Sequence, residues 1–515
     1  MHLAYQALFP FAVLVGAAGL SSLPDLRQRV GAIAPAATGI AALSALVLLL
    51  ELKPSERVDL VYLRAFPGAD LALRLDGLSL AFAAVLLASA TGLMLARLGA
   101  TGDRRNPWRR WLLTAAAALG VVMAGNLLLT YIALQVLTLA WSGAVNETAP
   151  RTRTLRLVQQ AGDLALLIAA GSAIRSAGTS AFAGMPADAI GPLYLLLLLV
   201  PVATRVATVV LAPPAPRGTV AFVPAVAWVA PAAALVLRVL SLAAGRPFNR
   251  PVQVAVFSAA LLAAAGLSLW AASAQSWHRF ATAMVGAQAA VIVALGVLQN
   301  PLATVGCAWL ALQLVLVAGL ASIQPSEESA ARGIATLSLG LIPPASACAG
   351  ILLAAAGFSG SRLVAVGIPL ALVAGLATLA VARHPTLPRW GFRWPGDGWA
   401  VLMLGLALLP APFAWGLVLP TARTVRSIPA STVGIDWFGL VAGGLRWPTL
   451  LVGIAALAVW AGLARVSART FTGFRLGLAL PALPRLTRPA PPETIPWLTV
   501  TWVAYAILLL IMVQR

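Results

Sequence analysis

The sequence predicts an all-α integral membrane protein: about sixteen transmembrane helices, with two inverted five-helix repeats and breaks in helices 7 and 12. Three observations carry this. Of the 515 residues, 61% are hydrophobic and 10% charged, against about 25% charged in a soluble domain. Apolar stretches near the roughly 20 residues that cross a bilayer recur along the chain, and helices pair their own backbone groups in lipid without closing a barrel. Two of the stretches, five helices apart, are interrupted by paired prolines.

Residues 1-110 hold the first three helices, at 4-23, 32-50 and 78-96. The first is read as a retained helix, since MHLAYQ lacks a positive charge and no small-x-small cleavage site leads into a soluble domain. Residues 111-245 hold helices four to eight, at 111-125, 127-145, 157-173, 190-213 and 219-243, and form the first repeat. The seventh ends in LAPPAP, with Pro213 and Pro214, and the eighth contains Pro224 and Pro231. Residues 250-385 hold helices nine to thirteen, at 253-274, 281-298, 302-323, 333-356 and 363-382, and form the second repeat. The twelfth contains GLIPPAS, with Pro343 and Pro344. Prolines at this depth free backbone carbonyls; a single one reads as a packing kink, but the pair of breaks points to cavities in inverted repeats. Helices 14-16, at 399-419, 448-464 and 496-512, fall in residues 386-515.

The net charge of +20 is carried almost entirely by arginine, because Lys53 is the only lysine. Runs such as RQR at 27-29, RRNPWRR at 104-110 and RTRTLR at 151-156 follow odd-numbered helices, which puts those loops in the cytoplasm and the N-terminus outside. Anchorage to anionic lipid accounts for such charge, and a cytoplasmic partner is the sharper alternative; nucleic acid is not implied. Cys307 and Cys348 fall inside helices and read as small core residues. His2, His278 and His384 are too scattered for haem or zinc, and no nucleotide-binding or nucleophile-elbow motif is present. The chain is therefore read as a non-catalytic membrane subunit without a metal or cofactor.

Polar groups inside a bilayer are costly and are functional candidates by default. They are Gln135, Gln159, Gln160, Asp163, Arg205, Arg238, Gln288 and Gln313, with Asp76 at the entrance of the third helix. Arg205 sits within LLLLLVPVATRVATVVLAPPAP, and a guanidinium there keeps its proton. Two readings stand: a buried structural ion pair with Asp163, or a remnant ion path through Gln135, Asp163, Arg205 and Gln313 with His278. Arg238, near the end of the eighth helix, is expected to snorkel to the interface.

Four stretches carry a family resemblance: LRLDGLSLAF at 73-82, NLLLTYIALQVLTLAW at 126-141, AGDLALLIAA at 161-170 and SLGLIPPASACAG at 338-350. In order and spacing they resemble the antiporter-like membrane subunits of NADH:quinone oxidoreductase (subunit L and relatives), the large subunit of Mrp-type antiporters, and DabB, the membrane subunit of an inorganic-carbon transporter. The resemblance covers roughly residues 70 to 360. It implies proton translocation through a glutamate in helix five, a lysine in broken helix seven, and further basic groups in helices eight, eleven and twelve. Here those positions hold Gln135, Arg205, Trp228 and Ala230, and Gln313, and the lysine after the helix-twelve turn is missing from ASACAGILL. His278 and Arg279 stand where the family often has a basic pair.

Within the family the chain looks most like DabB. The segment between helices fifteen and sixteen is proline-broken, so the long lateral helix of subunit L cannot form there, each interior proline costing about 3 kcal/mol. That reading implies energy-coupled inorganic-carbon (CO2/bicarbonate) transport at the bacterial inner membrane, with a large cytoplasmic DabA-like zinc protein as partner. The alternatives are an antiporter-like subunit of a redox-coupled complex among other membrane subunits, or a non-conducting scaffold anchoring a peripheral partner.

Overall fold

The computed structural model describes residues 2–23, 30–53, 56–64, 70–98, 108–142, 150–185, 191–211, 224–243, 248–274, 276–322, 336–341, 347–383, 410–428, 433–436, 439–442 and 445–447. Among them, ten helices are long and apolar enough to span a membrane, and the protein is an all-α integral membrane protein. The helices are α1 His2–Leu20, α2 Val30–Glu51, α3 Gly77–Leu98, α4 Trp108–Met123, α5 Leu127–Ser142, α6 Pro150–Ala177 and α7 Pro192–Leu211. A π-turn at Pro224–Val229 leads into α8 Ala230–Ala243, and then come α9 Arg250–Ala272, α10 Trp277–Val297 and α11 Pro301–Ser322. The second half of the predicted twelfth helix is α12, Ala347–Ala356, followed by α13 Gly360–Arg383. Last, α14 runs from Pro410–Phe413 through a π-turn at Ala414–Val418 into Leu419–Val425.

Apolar residues surround α11, whose spanning segment is buried throughout, and α8 and α10 are nearly as enclosed. These helices form the interior, so their polar residues must find partners inside the protein. By contrast α1, α9 and α13 present large side chains outward, among them Phe9, Leu262 and Leu372, as lipid-facing helices do.

Sequence segmentation missed two small sheets. The strands β1 Val58–Arg64 and β2 Asp70–Leu75 pair antiparallel, from Val58 opposite Leu75 to Arg64 opposite Asp70. The link between α4 and α5 adds to that edge: the Gly125 N–H donates to the Ala72 carbonyl at 2.8 Å, and the Phe182 N–H donates to Gly125 at 3.0 Å. Asn126 locks the junction, donating through Nδ2 to the Asp70 carbonyl and accepting from the Leu129 N–H at 2.6 Å. Two of the four resemblance stretches thus begin at one small hydrogen-bonded node. The second sheet, β3 Val433–Asp436, β4 Gly439–Ala442 and β5 Leu445–Trp447, lies in the connection between predicted helices 14 and 15.

Beneath the first node lies a buried charge network that corrects the expectation for Arg238. Its Nη1 is 2.5 Å from Asp76 Oδ2 and its Nη2 donates to Ser79 Oγ at 2.7 Å, with Phe182 against the guanidinium. Arg238 is 4% exposed and does not reach an interface, because a carboxylate at the entrance of α3 offers a partner inside the bundle. Asp76 also accepts from Arg74 Nε at 2.9 Å and from the Ser79 N–H at 2.8 Å, which caps the start of α3.

Burial works to raise the Asp76 carboxyl, but Arg238 and Arg74 outweigh it and hold it down at about 2. A carboxyl held below its ordinary value of about 3.9 contributes stability that is complete above that value and is lost as pH falls through about 2. Stability between pH 5 and 8 should therefore not vary on account of Asp76. Arg238→Leu, which leaves Asp76 buried with one partner fewer, is expected to cost about 3 kcal/mol or more, read as earlier thermal unfolding in detergent.

Candidate functional site

Among the described residues, the most buried ion pair is built where α6 crosses α7. Gly162 makes the crossing possible, since a methyl group there would meet Thr204 Cβ and Cγ2 at 3.0 Å. The next residue on each helix is charged, so the close approach sets Asp163 against Arg205. Arg205 Nη2 donates to Asp163 Oδ1 at 2.7 Å and to Oδ2 at 3.0 Å, with Arg205 1% and Asp163 0% exposed. Gln135 Nε2, from α5, donates to Asp163 Oδ2 at 3.1 Å. One turn away the same two helices are joined again, by Gln159 Nε2 to Thr208 Oγ1 at 3.3 Å.

This arrangement is charge-balanced, one guanidinium against one carboxylate. The guanidinium keeps its proton, the carboxylate is neutralised by it, and the amides of Gln135 and Gln159 do not titrate. The ion pair and the Gln135 hydrogen bond together tie α5, α6 and α7 to one another. Among the described residues, Arg205 Nε and Nη1 and Gln159 Oε1 are buried without a protein hydrogen-bond partner.

A second polar group forms where the twelfth helix stops. Residues 336–339 are helical, Gly340 and Leu341 leave the helix, and helix resumes at Ala347. Carbonyls at a helix end lack intrahelical donors. Gln288 of α10 supplies one, with Nε2 2.8 Å from the Leu339 carbonyl and 3.4 Å from those of Ser338 and Gly340. Gln313 of α11 donates to Ser338 at 3.3 Å. These neutral amides cap a helix end inside the bundle, so the polar positions of α10 and α11 act on backbone rather than on a charge.

The site residues read from sequence thus divide. Gln135, Asp163 and Arg205 come together in one cluster, Gln313 belongs to another, and His278 stands apart in the first turn of α10, about 15 Å along the helix from Gln288. The proline pairs Pro213, Pro214 and Pro343, Pro344 lie outside the described residues, as does His384. Cys307 is buried, with Sγ 3.3 Å from the Ile292 carbonyl, and Cys348 is in α12; both sit in helices, where the sequence put them. Sequence reading missed Thr208, Ser79 and Arg74, all of which hold charged or amide partners. The glycine directly before Asp163 was the one legible signal, since small residues let membrane helices approach closely.

With this geometry in hand, the chain can be set beside solved structures. The fold is one already seen in large membrane complexes. It matches a chain of the Mrp complex from Dietzia sp. DQ12-45-1b with a TM-score of 0.74 and 18% identity, covering 99% of this chain and 60% of that one. The chain therefore spans less than two thirds of that neighbour's length. A chain of the membrane-bound sulfane sulfur reductase (MBS), an archaeal respiratory membrane complex, matches with a TM-score of 0.70 and 18% identity, over 92% of this chain and 85% of that one. Respiratory complex I from Thermus thermophilus contributes a third match, with a TM-score of 0.59 and 17% identity, over 81% of this chain and 99% of the other. No family model matches the sequence, and no curated protein matches it. At these identities the likeness is one of fold.

Two outcomes are expected from the site. Arg205→Ala should destabilise the protein by about 3–5 kcal/mol, because it leaves Asp163 buried and unpaired, while proton leak through assembled protein in vesicles stays unchanged. Gln288→Leu should cost about 1–3 kcal/mol by stripping the helix-end carbonyls of their donor, read in the same thermal unfolding assay.

Proposed function

We propose that the chain is an antiporter-like membrane subunit of a multi-subunit, energy-converting complex, with its central titrating positions replaced by fixed groups. The observation that carries this is the Arg205–Asp163 pair with Gln135 on the same carboxylate. It stands where the resemblance calls for a working glutamate and lysine, and it is packed as a structural tie. The fold it shares with chains of the Mrp complex, MBS and complex I supports the placement in such an assembly. So does the position of the four resemblance stretches: each contains a residue of a buried polar node, Asp76, Asn126, Asp163 and Ser338. The subunit's contribution is then to hold neighbouring subunits in the membrane rather than to perform catalysis.

Its orientation follows from Arg109, Arg110, Arg153 and Arg279, exposed near the starts of α4, α6 and α10. Under the positive-inside rule those ends face the cytoplasm and the N-terminus lies outside, at a bacterial inner membrane. Inorganic-carbon transport with a DabA-like zinc partner is the second reading. It rests on the six prolines between residues 481 and 496, a segment outside the described residues, and none of the matched structures bears on it.

Affinity purification of the complete chain from its native membrane in mild detergent, with mass spectrometry and a zinc assay, tests the proposal. Stoichiometric co-purification of further membrane subunits of a redox or antiporter complex is the expected result. A large zinc protein as the sole partner would transfer the chain to the second reading, and a chain that purifies alone would overturn both.

A further inference from the structure

The edge formed by α5 and α6 carries one pattern twice. On α5, Gln135 stands three residues after Ile132 and four before Leu139; on α6, Gln160 stands three residues after Leu157 and four before Leu164. Residues at those spacings share one face of a helix. The four apolar neighbours are exposed, and the two glutamines are half-buried among them. The two faces adjoin, because the Gln135 amide reaches Asp163, three residues beyond Gln160 on α6.

Depth follows from the ends of α6. Arg156 and Arg175 are 19 residues apart, about 28 Å along the helix, close to the roughly 30 Å of a bilayer core. Gln160 is thus about 6 Å inside one boundary, and Asp163, where Gln135 is held, about 10 Å inside it. Two amides therefore reach the outer surface of the bundle within the hydrocarbon layer, where lipid tails offer them no hydrogen-bond partner. Glutamines so placed bond across to another membrane helix. We infer that this edge docks a transmembrane helix of a different subunit, which presents a hydrogen-bonding side chain to Gln135 and Gln160. A second copy of this chain fits it poorly. Two copies in one membrane share an orientation, so pairing α6 with α6 about an axis normal to the bilayer sets Arg156 against Arg156 and Arg175 against Arg175. The partner helix thus carries neutral or acidic residues at those two levels and a polar one between them.

This inference rests on the proposal that the chain belongs to a multi-subunit complex, and its test separates the two. Photoreactive benzoylphenylalanine replaces Val136 or, separately, Leu164, both exposed beside the glutamines, in the full chain in its native membrane. Leu262 of α9 and Leu372 of α13 serve as lipid-facing controls, and adduct sites are mapped by mass spectrometry. The expected result is an adduct from both edge positions to a transmembrane helix of another polypeptide, with a hydrogen-bonding side chain within one turn of the adduct. An adduct to a second copy, to another part of this chain or to a protein without a transmembrane helix overturns the inference. So does a yield no higher than at the controls; where further subunits still co-purify, the complex reading survives and only the docking face is lost. Gln160→Leu gives a second readout, since Gln160 takes no part in the Arg205–Asp163 pair. It should lower co-purification of the adducted subunit roughly threefold or more while thermal unfolding of the isolated chain stays unchanged. Undiminished co-purification, or a chain that unfolds earlier in step with the loss, contradicts the docking face.

Discussion

A guanidinium inside a membrane-spanning helix needs a countercharge within hydrogen-bonding reach, and the packing of α5, α6 and α7 follows from that need. Gly162 lets the α6 backbone come close enough to Thr204 for Asp163 to meet Arg205, and Gln135 fills the remaining side of the carboxylate. A buried pair of this kind adds little stability relative to a well-packed apolar substitute, yet losing one partner is severe. That asymmetry gives the pair its effect: any displacement of α6 against α7 leaves a charge stranded.

The same logic recurs at the edge of the bundle. Asp76 gathers Arg74, Arg238 and the cap of α3, while the neighbouring backbone joins the β1–β2 hairpin to the α4–α5 link. Where helix twelve stops, neutral amides take the role that charges take elsewhere, because stranded carbonyls need donors rather than counterions. Among the described residues, buried charge is thus held in the Arg205–Asp163 pair and the Arg74–Asp76–Arg238 network, while a small cavity between α7, α8, α10 and α11 is lined by valine, alanine, leucine, isoleucine and tryptophan. The fold that carries these nodes is shared with chains of the Mrp complex, MBS and complex I.

Much of this was legible before any coordinates. Hydropathy located the long apolar helices, such as α3, α10 and α11, because a bilayer core requires about 20 apolar residues of each span. The Arg205–Asp163 pair was legible for a related reason: Asp163 is the only acidic residue within a predicted span, so the choice of partner was narrow. Arg238 was misread because its place near a helix end resembles that of a snorkelling residue, and its partner is 162 residues away in sequence. The hairpin and the second sheet were missed because segmentation by apolar length does not register short alternating strands such as VDLVYLR. Gln288 and Gln313 were recognised as costly, but their capping role depends on where the helix before Gly340 stops, which tertiary structure decides.

The account rests on Arg205 and Asp163 being a structural tie rather than a working acid–base couple, and a double replacement measures that most directly. Asp163→Leu with Arg205→Met should unfold within about 1 kcal/mol of the parent in detergent, whereas either single change loses about 3–5 kcal/mol. Vesicle proton flux should be the same in all four proteins. A double variant as unstable as the singles, or one that keeps its stability but changes proton flux, would contradict the account.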